Sequence, residues 1–251
     1  ASRLLYENLK LKDSICKVDI EKLKKSKAKA QVFSHFIELN IVDNPYTEFV
    51  NMYNNFISEI KENEDSIEIV RNLKELETVN SKGKIGAFLS IEEGEVLEGK
   101  VERVKELYDM GIRFITLTWN FKNSIGYPNA GYKYKDYGLT EKGKEIVLEM
   151  ERLGIIPDCS HLSDGGFYDL IDICKKPFIA THSNARAITD HSRNLTDDMI
   201  VKLAENGGVM GLNFCAPFLG NERVPSINSM IKHIKHIRNV GGIDVLALGT
   251  D

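Results

Sequence analysis

The chain alternates between short apolar runs and amphipathic stretches along almost its whole length, and this alternation restricts the folds open to it. Apolar runs of strand length occupy positions 31–39, 84–91, 112–119, 155–160, 177–181, 208–214 and 245–250. Stretches with helical periodicity or helix-capping residues occupy positions 46–60, 65–79, 96–110, 140–153, 163–176, 196–206 and 226–240. Strands and helices that take turns in this way predict parallel strands joined by helical crossovers.

Mostly continuous apolar strands indicate a parallel sheet that is covered on both faces. Seven strands fall one short of a (β/α)8 TIM-type barrel, so we expect a barrel that lacks its first strand and its final helix. It would form one incomplete domain over residues 1–251. The start at Ala1 and the strand-like end at Asp251 indicate a piece of a longer protein. A doubly wound open sheet is the alternative, although no glycine-rich phosphate turn follows a strand to favour it.

Composition and charge argue against several classes of protein. Hydrophobic residues make up 42% of the chain, which is enough for a sizeable core, and the formal net charge is −4. That charge gives no reason to expect nucleic acid or an anionic membrane as a partner. No apolar run approaches the roughly 18 residues of a membrane span. The cysteines are scattered without a C-x-x-C pair, so we expect no disulfide framework and a cytoplasmic location.

Polar side chains stand at the carboxyl ends of the predicted strands, where α/β barrels build their sites. In chain order they are Glu92, Trp119, His161, His182, Asn213 and Asp251. One helical stretch separates the runs that end at His161 and His182, so a βαβ unit would bring both imidazoles to neighbouring strand ends. Two imidazoles and one carboxylate form a three-ligand set that binds zinc and leaves a position open for water. We therefore predict a metal site at Glu92, His161 and His182.

Other interpretations stay open for individual residues. A strand-end histidine can also be a hydrogen-bonded structural residue. Arg193, in the loop after His182, could hold a carboxylate bidentately or lie on the surface. For the remaining histidines we expect a core or rim position (His35), a loop surface (His191), and the polar face of a helix whose apolar face carries Ile227, Ile231 and Ile234 (His233 and His236).

Several stretches of the chain together resemble one family. They are SIEEG at 90–94, GIRFITLTWN at 111–120, EMERLG at 149–154 running on to DCSH at 158–161, PFIATHS at 177–183, SRNLTDD at 192–198 and LGTD at 248–251. In this order the set resembles the membrane (renal) dipeptidases and their bacterial relatives, which are zinc-dependent dipeptidases with a barrel of the metal-dependent hydrolase kind. The stretches are specific as a set rather than singly, and they extend from Lys84 to the last residue.

The resemblance implies a role for each matched residue. Glu92 would bridge two zinc ions, and His161 and His182 would bind the second of them. Arg193 would hold the C-terminal carboxylate of the substrate, and Asp251 would act in proton transfer and in positioning the attacking water or the substrate amine. The implied reaction is hydrolysis of the amide bond of a free dipeptide by a zinc-activated hydroxide. Family members are commonly dimers, so a homodimer is expected.

Two departures from the family pattern bear on these expectations. The His-x-Asp pair that completes the family's first zinc site is absent, so this chain would assemble one of the two zinc sites of an intact protein. Trp119 stands where mammalian members carry a histidine near the reacting carbonyl, and its indole can donate one N–H or form a wall of the substrate pocket. Two other functions stay open: a barrel amidohydrolase acting on a lactone or cyclic amide, and a non-catalytic degenerate barrel.

Overall fold

The computed structural model describes residues 1–12, 15–220 and 223–251, which form two compact units, Ala1–Ile115 and Thr116–Asp251. The first unit contains α1 (Ser2–Tyr6), α2 (Ile20–Lys25), β1 (Ala30–Phe36), α3 (Pro45–Glu62), β2 (Ile67–Ile69), α4 (Leu73–Ser81), β3 (Ile85–Glu92), α5 (Glu102–Asp109) and β4 (Ile112–Thr116), whose last residue belongs to the second unit. The second unit contains α6 (Glu141–Leu153), β5 (Ile156–Asp158), α7 (Asp164–Ile173), α8 (Asp197–Glu205), β6 (Met210–Leu212), α9 (Ala216–Leu219), α10 (Ile227–Gly241) and β7 (Leu246–Leu248). None of the helices described here is long and apolar enough to cross a membrane.

Strand β3 is the central strand of the first unit. It pairs in parallel with β1 in a register that places Phe36 opposite Glu92. It also pairs in parallel with β2, and β4 follows it in the order of the sheet. Leu89 and Ile91 of β3 are fully buried. The apolar run therefore forms a covered inner strand, and its carboxyl end carries Glu92.

The second unit continues the parallel pattern. Residues 179–180 form single parallel bridges to β5 on one side and to β6 on the other, and β6 pairs in parallel with β7. The strand predicted at 177–181 is thus present only as these two bridges. The N–H of Leu117, just after β4, donates to the carbonyl of Asp158 at the end of β5. The predicted α/β class with parallel strands is confirmed.

Polar N-cap residues start three helices of the second unit, α6, α7 and α8, at the predicted positions. The side chains of Thr140, Ser163 and Thr196 each accept a hydrogen bond from the backbone N–H three residues further on. Each bond satisfies a donor that the first helical turn leaves open. Helix α6 ends at Gly154, whose φ of +93° lies in the left-handed region that glycine adopts without strain. The capping hydrogen bonds therefore fix the residue at which each preceding loop ends and its helix begins.

Two of the predicted helices are wrong in part. The stretch 65–79 contains β2 and the start of α4, with Asn72 as the cap between them, because its first apolar residues recur with the two-residue period of a strand. The stretch 96–110 contains the end of a 3-10 helix and then α5. These two helices are separate because Glu98 and Gly99 have φ values of +49° and +67°. Helices α1, α2 and α9 were not predicted.

We predict that Gly143→Ala destabilises the protein. In an ordinary helical position this change stabilises by up to about 1 kcal/mol, but at Gly143 in α6 an added Cβ would lie 2.0 Å from the carbonyl oxygen of Ile125. The loop before α6 would have to shift, at a cost of about 1–3 kcal/mol in the free energy of unfolding. Urea unfolding followed by circular dichroism measures this, with the exposed Lys142→Ala as control. A Gly143→Ala protein more stable than the wild type would contradict the close contact.

We predict that the buried side chain of His35 makes the stability of the protein depend on pH in mild acid. His35 on β1 is fully buried, with its Nδ1 2.9 Å from the carbonyl oxygen of Ser90, and burial lowers its pKa from 6.5 to about 4. The unfolded chain therefore binds a proton at higher pH than the folded chain does. The neutral, buried ring of His35 therefore contributes its full stabilisation of the folded chain above pH 6.5. As the pH falls towards 4 this contribution is lost, and the free energy of unfolding falls by about 3 kcal/mol in total.

The His35→Gln variant keeps a hydrogen-bond donor but does not titrate, so its stability should fall less between pH 7 and pH 4.5. The difference between the two proteins over this interval should be about 2–3 kcal/mol by urea unfolding at each pH. Identical pH profiles would show that His35 does not carry the effect.

A candidate metal centre

The structure brings together the three residues predicted as metal ligands. Glu92, His161 and His182 each offer one ligand atom, and these atoms lie within 4.8 Å of one another; both histidines are buried and Glu92 is half-buried. Two ligands of one zinc ion lie at most about 4 Å apart, because each bond is about 2 Å long, so small side-chain movements would bring all three atoms within reach of one ion. Within the described ranges no other cluster of three or more such side chains has this spacing. The donor set and its spacing fit a divalent metal ion such as zinc.

Backbone geometry at the strand ends places these side chains. Strand β3 ends at Glu92, and the chain turns sharply at Glu93, whose φ is +119°. His161 itself has a φ of +69°, and its carbonyl accepts a 2.7 Å hydrogen bond from the N–H of Asn129. Non-glycine residues in the left-handed region cluster at functional sites, where the surrounding structure holds them.

Both imidazoles are neutral at neutral pH. Burial, followed by the positive charge of Arg193, places the pKa of His161 well below its usual range and lowers that of His182 to about 4. A neutral imidazole has a nitrogen lone pair to give to a metal ion, whereas a protonated one has none. The two rings lie with their centroids 5.1 Å apart. Their protonation state therefore suits metal binding without any change on loading.

Each histidine also has a hydrogen-bond partner at Nδ1. His161 Nδ1 lies 3.1 Å from Oδ1 of Asn120, and His182 Nδ1 lies 2.7 Å from Oγ1 of Thr181. Metal-binding histidines in proteins usually have such a partner on the second ring nitrogen.

Asp158 also lies in this region, although no role was predicted for it from the sequence. Its carboxylate is fully buried and accepts four hydrogen bonds, from the hydroxyls of Thr116 and Thr181 and from the backbone N–H groups of Ser160 and Thr181. The available signal was an acidic residue inside an apolar strand, which is unusual unless the charge is satisfied. No role was predicted for Asn120 and Thr181 either, because neither side chain is a metal ligand itself.

Arg193 is buried, with 4% of its surface exposed, so the alternative of a surface arginine is wrong. Its Nη2 donates a 3.1 Å hydrogen bond to the carbonyl oxygen of His182. The guanidinium carbon lies 5.5 Å from the centre of the Phe218 ring. These contacts place the positive charge beside one of the two histidines.

Trp119 and Asp251, the other two predicted site residues, lie at strand ends of the second unit. The Trp119 ring lies 6.1 Å from the His161 ring and 5.9 Å from the Phe121 ring. The Asp251 carboxylate is exposed and accepts a 3.0 Å hydrogen bond from Nδ2 of Asn213. Its charge acts on the pKa of His182, which it raises against the effect of burial.

The prediction that His233 lies on a helix surface is wrong. The buried face of α10 carries Ser229, His233 and Ile237, whereas Ile227 and Ile231 are exposed. The Nδ1 atom of His233 accepts a 3.1 Å hydrogen bond from the N–H of Ala185. Burial lowers the pKa of His233, which keeps this nitrogen available as an acceptor. The side chain therefore holds the loop that leads from His182 to Arg193.

Comparison with known proteins places the chain in a peptidase family. The family model described as membrane dipeptidase (peptidase family M19) matches residues 3–251. An uncharacterized dipeptidase of Schizosaccharomyces pombe is 31% identical over 258 residues, which cover 93% of this chain and 60% of the relative. A second uncharacterized dipeptidase of the same yeast is 32% identical over 162 residues, which cover 64% of this chain and 40% of the relative. The chain thus spans three-fifths or less of the length of these relatives.

Solved structures share the fold. A metallopeptidase from Rhodobacter sphaeroides, liganded with a phosphinate mimic of the dipeptide L-Ala-D-Ala, matches with a TM-score of 0.89 at 23% identity, covering 100% of this chain and 82% of its own. An amidohydrolase from Pseudomonas aeruginosa matches with a TM-score of 0.84 at 26% identity, covering 92% of this chain and 69% of its own. The likeness shows that the chain shares the mixed α/β fold of these structures, with the parallel strands described above. On the family match across its length, the chain belongs to the membrane dipeptidase family, peptidase family M19.

Proposed function

We propose that this chain carries the catalytic barrel of a zinc-dependent dipeptidase that hydrolyses the amide bond of free dipeptides. The observation that carries the proposal is the approach of one carboxylate and two neutral imidazoles to within 4.8 Å of one another. Family membership supports it, as do the yeast relatives named dipeptidases and the Rhodobacter metallopeptidase with its bound dipeptide mimic.

Glu92, His161 and His182 would hold the metal ion. Two imidazoles and one carboxylate leave a coordination position open, as catalytic zinc sites require. When bound, zinc supplies a Lewis acid for the scissile carbonyl and lowers the pKa of a water molecule to roughly 7. We propose one such ion for this chain and two for the intact protein.

Arg193 would bind the C-terminal carboxylate of the dipeptide. A guanidinium presents its N–H donors in a planar fork that matches a carboxylate. The contacts with the His182 carbonyl and the Phe218 ring hold this fork in place before substrate binds. Pre-positioning of this kind lowers the entropic cost of binding. A free carboxylate one residue from the scissile bond then determines the length of the peptide that is accepted.

Trp119 and Asp251 would complete the substrate side of the centre. The Trp119 indole, which packs beside the His161 ring, would form a wall of the substrate pocket. The Asp251 carboxylate, oriented by the Asn213 amide, would take a proton from the attacking water and pass it to the leaving amine.

We extend the proposal to the location and the oligomeric state of the protein. We propose a reducing, cytoplasmic location and a homodimer, with a small dipeptide as the substrate. The scattered spacing of the cysteines in the sequence, without a C-x-x-C pair, supports the reducing compartment.

The test of this function compares free with blocked dipeptides. The zinc-loaded protein should hydrolyse a dipeptide with free termini and leave its N-acetylated, C-amidated analogue intact. Arg193→Met should raise KM for the free dipeptide about 10- to 100-fold, because a hydrogen bond to a charged group contributes about 1.5–3 kcal/mol. Steady-state kinetics measures both effects.

The matched control is Arg152→Met, since Arg152 lies exposed on α6 and pairs with Glu149. This variant should keep the KM of the wild type. Equal cleavage of blocked and free dipeptides, together with an unchanged KM in Arg193→Met, would contradict the dipeptidase and favour hydrolysis of a lactone or a cyclic amide.

A further inference from the structure

A chain of three hydrogen-bonded groups leads from a buried carboxylate to His182. Asp158 Oδ2 accepts a 2.5 Å hydrogen bond from the hydroxyl of Thr181, and that hydroxyl oxygen lies 2.7 Å from Nδ1 of His182. Asp158 is fully buried and His182 is 6% exposed. Thr181 between them is half-buried, so the two end groups are shielded from water, and the orientation of each proton is set by the neighbouring groups.

The number of protons fixes the direction of these hydrogen bonds. A carboxylate only accepts, and a hydroxyl has one proton to donate. Thr181 Oγ1 gives that proton to Asp158, so it can meet His182 Nδ1 only as an acceptor, and Nδ1 must carry the imidazole proton. The neutral ring then has its lone pair on Nε2.

Neighbouring hydrogen bonds prevent the opposite arrangement. The Thr116 hydroxyl donates to the same Oδ2 of Asp158 at 2.5 Å. The backbone N–H groups of Thr181 and Ser160 donate to Oδ1 at 2.8 and 2.9 Å. The carboxylate therefore cannot rotate without losing several bonds at once. The His182 backbone is also held, because its N–H donates to Ser160 Oγ at 3.0 Å.

We propose that Asp158 is a positioning residue for the metal centre: through the Thr181 hydroxyl it holds His182 in the Nδ1–H tautomer, so that Nε2 is the nitrogen that binds the ion. The inference deepens the proposed function and rests on it. A carboxylate behind a metal-binding histidine also raises the basicity of the ligand, and loss of such a partner typically costs 10–100-fold in metal affinity. Here a threonine hydroxyl stands between the carboxylate and the ring.

His161 provides an internal comparison. Its Nδ1 lies against the side-chain oxygen of Asn120, an exposed and neutral residue on the same unit. The two histidines of one centre are thus oriented by different partners. A change at Asp158 should alter His182 and leave the tautomer of His161 unchanged.

The test uses variants that keep the shape of the three groups and change the direction of their protons. In Asp158→Asn the amide NH2 takes the place of Oδ2 and donates to the threonine hydroxyls, which frees the Thr181 proton to point at His182. The His182 tautomer should then change to Nε2–H. Thr181→Val removes the hydroxyl and should leave a mixture of tautomers, whereas Thr181→Ser should restore the wild-type state.

The first readout is made on metal-free protein. Nitrogen-15 chemical shifts of the histidine side chains distinguish a protonated from an unprotonated Nδ1, and a merely structural role for Asp158 would not change them. The second readout is zinc affinity by competition with a chelator, which should fall 10–100-fold in Asp158→Asn and Thr181→Val and recover in Thr181→Ser. Asn120→Ala is the matched control for the tautomer of His182.

The outcomes separate this inference from the proposed function. An unchanged Nδ1–H tautomer of His182 in both Asp158→Asn and Thr181→Val would overturn the inference, whatever the enzyme does. If Asp158→Asn fails to fold, Thr181→Val and Thr181→Ser decide the question alone. Failure of the wild-type protein to bind zinc would instead contradict the proposed function, with the tautomer result standing separately.

Discussion

The buried carboxylate of Asp158 is the constraint on which the candidate centre depends. A charge removed from water is costly unless every acceptor site is satisfied. Four hydrogen bonds satisfy it, from Thr116 at the end of β4, from Ser160 after β5, and twice from Thr181. Three chain segments of the second unit are therefore fixed at their carboxyl ends. Because His161 and His182 directly follow Ser160 and Thr181, the same bonds determine where both imidazoles leave the backbone.

The surrounding polar groups extend this constraint to the substrate side. Arg193 donates to the carbonyl of His182, and buried His233 accepts from the N–H of Ala185 in the loop between them. The positive charge that we propose to bind a substrate carboxylate is thereby held beside a histidine that burial keeps neutral. The contacts that position Arg193 and His182 also bury them. One set of contacts therefore determines both where these side chains lie and how strongly the Arg193 charge acts. Preorganised polar groups in a dry site act more strongly than the same groups would in water.

The α/β fold and the strand ends could be predicted because periodicity shows which residues end strands. Glu92, His161 and His182 follow apolar runs directly, so the sequence could single them out as one candidate group. Asp158 could not be assigned a role, because its partner Thr116 lies 42 residues away and only the register of the folded strands brings them together. The position of His233 was predicted wrongly because isoleucine spacing suggested the opposite buried face for α10, and tertiary packing overrode that amphipathic pattern. The single-domain prediction stays a prediction.

The most direct test of a shared metal site is zinc binding to this chain, measured by titration and by X-ray absorption at the zinc edge. We predict one tightly bound ion per chain with two imidazole nitrogens and a carboxylate oxygen at about 2.0–2.2 Å. Binding should be lost in the His161→Ala, His182→Ala double variant and kept in the His35→Gln, His236→Gln double variant, which removes two histidines elsewhere. If a zinc ion stays bound with an unchanged spectrum when His161 and His182 are both replaced, these two histidines do not bind the ion and the shared metal site is contradicted.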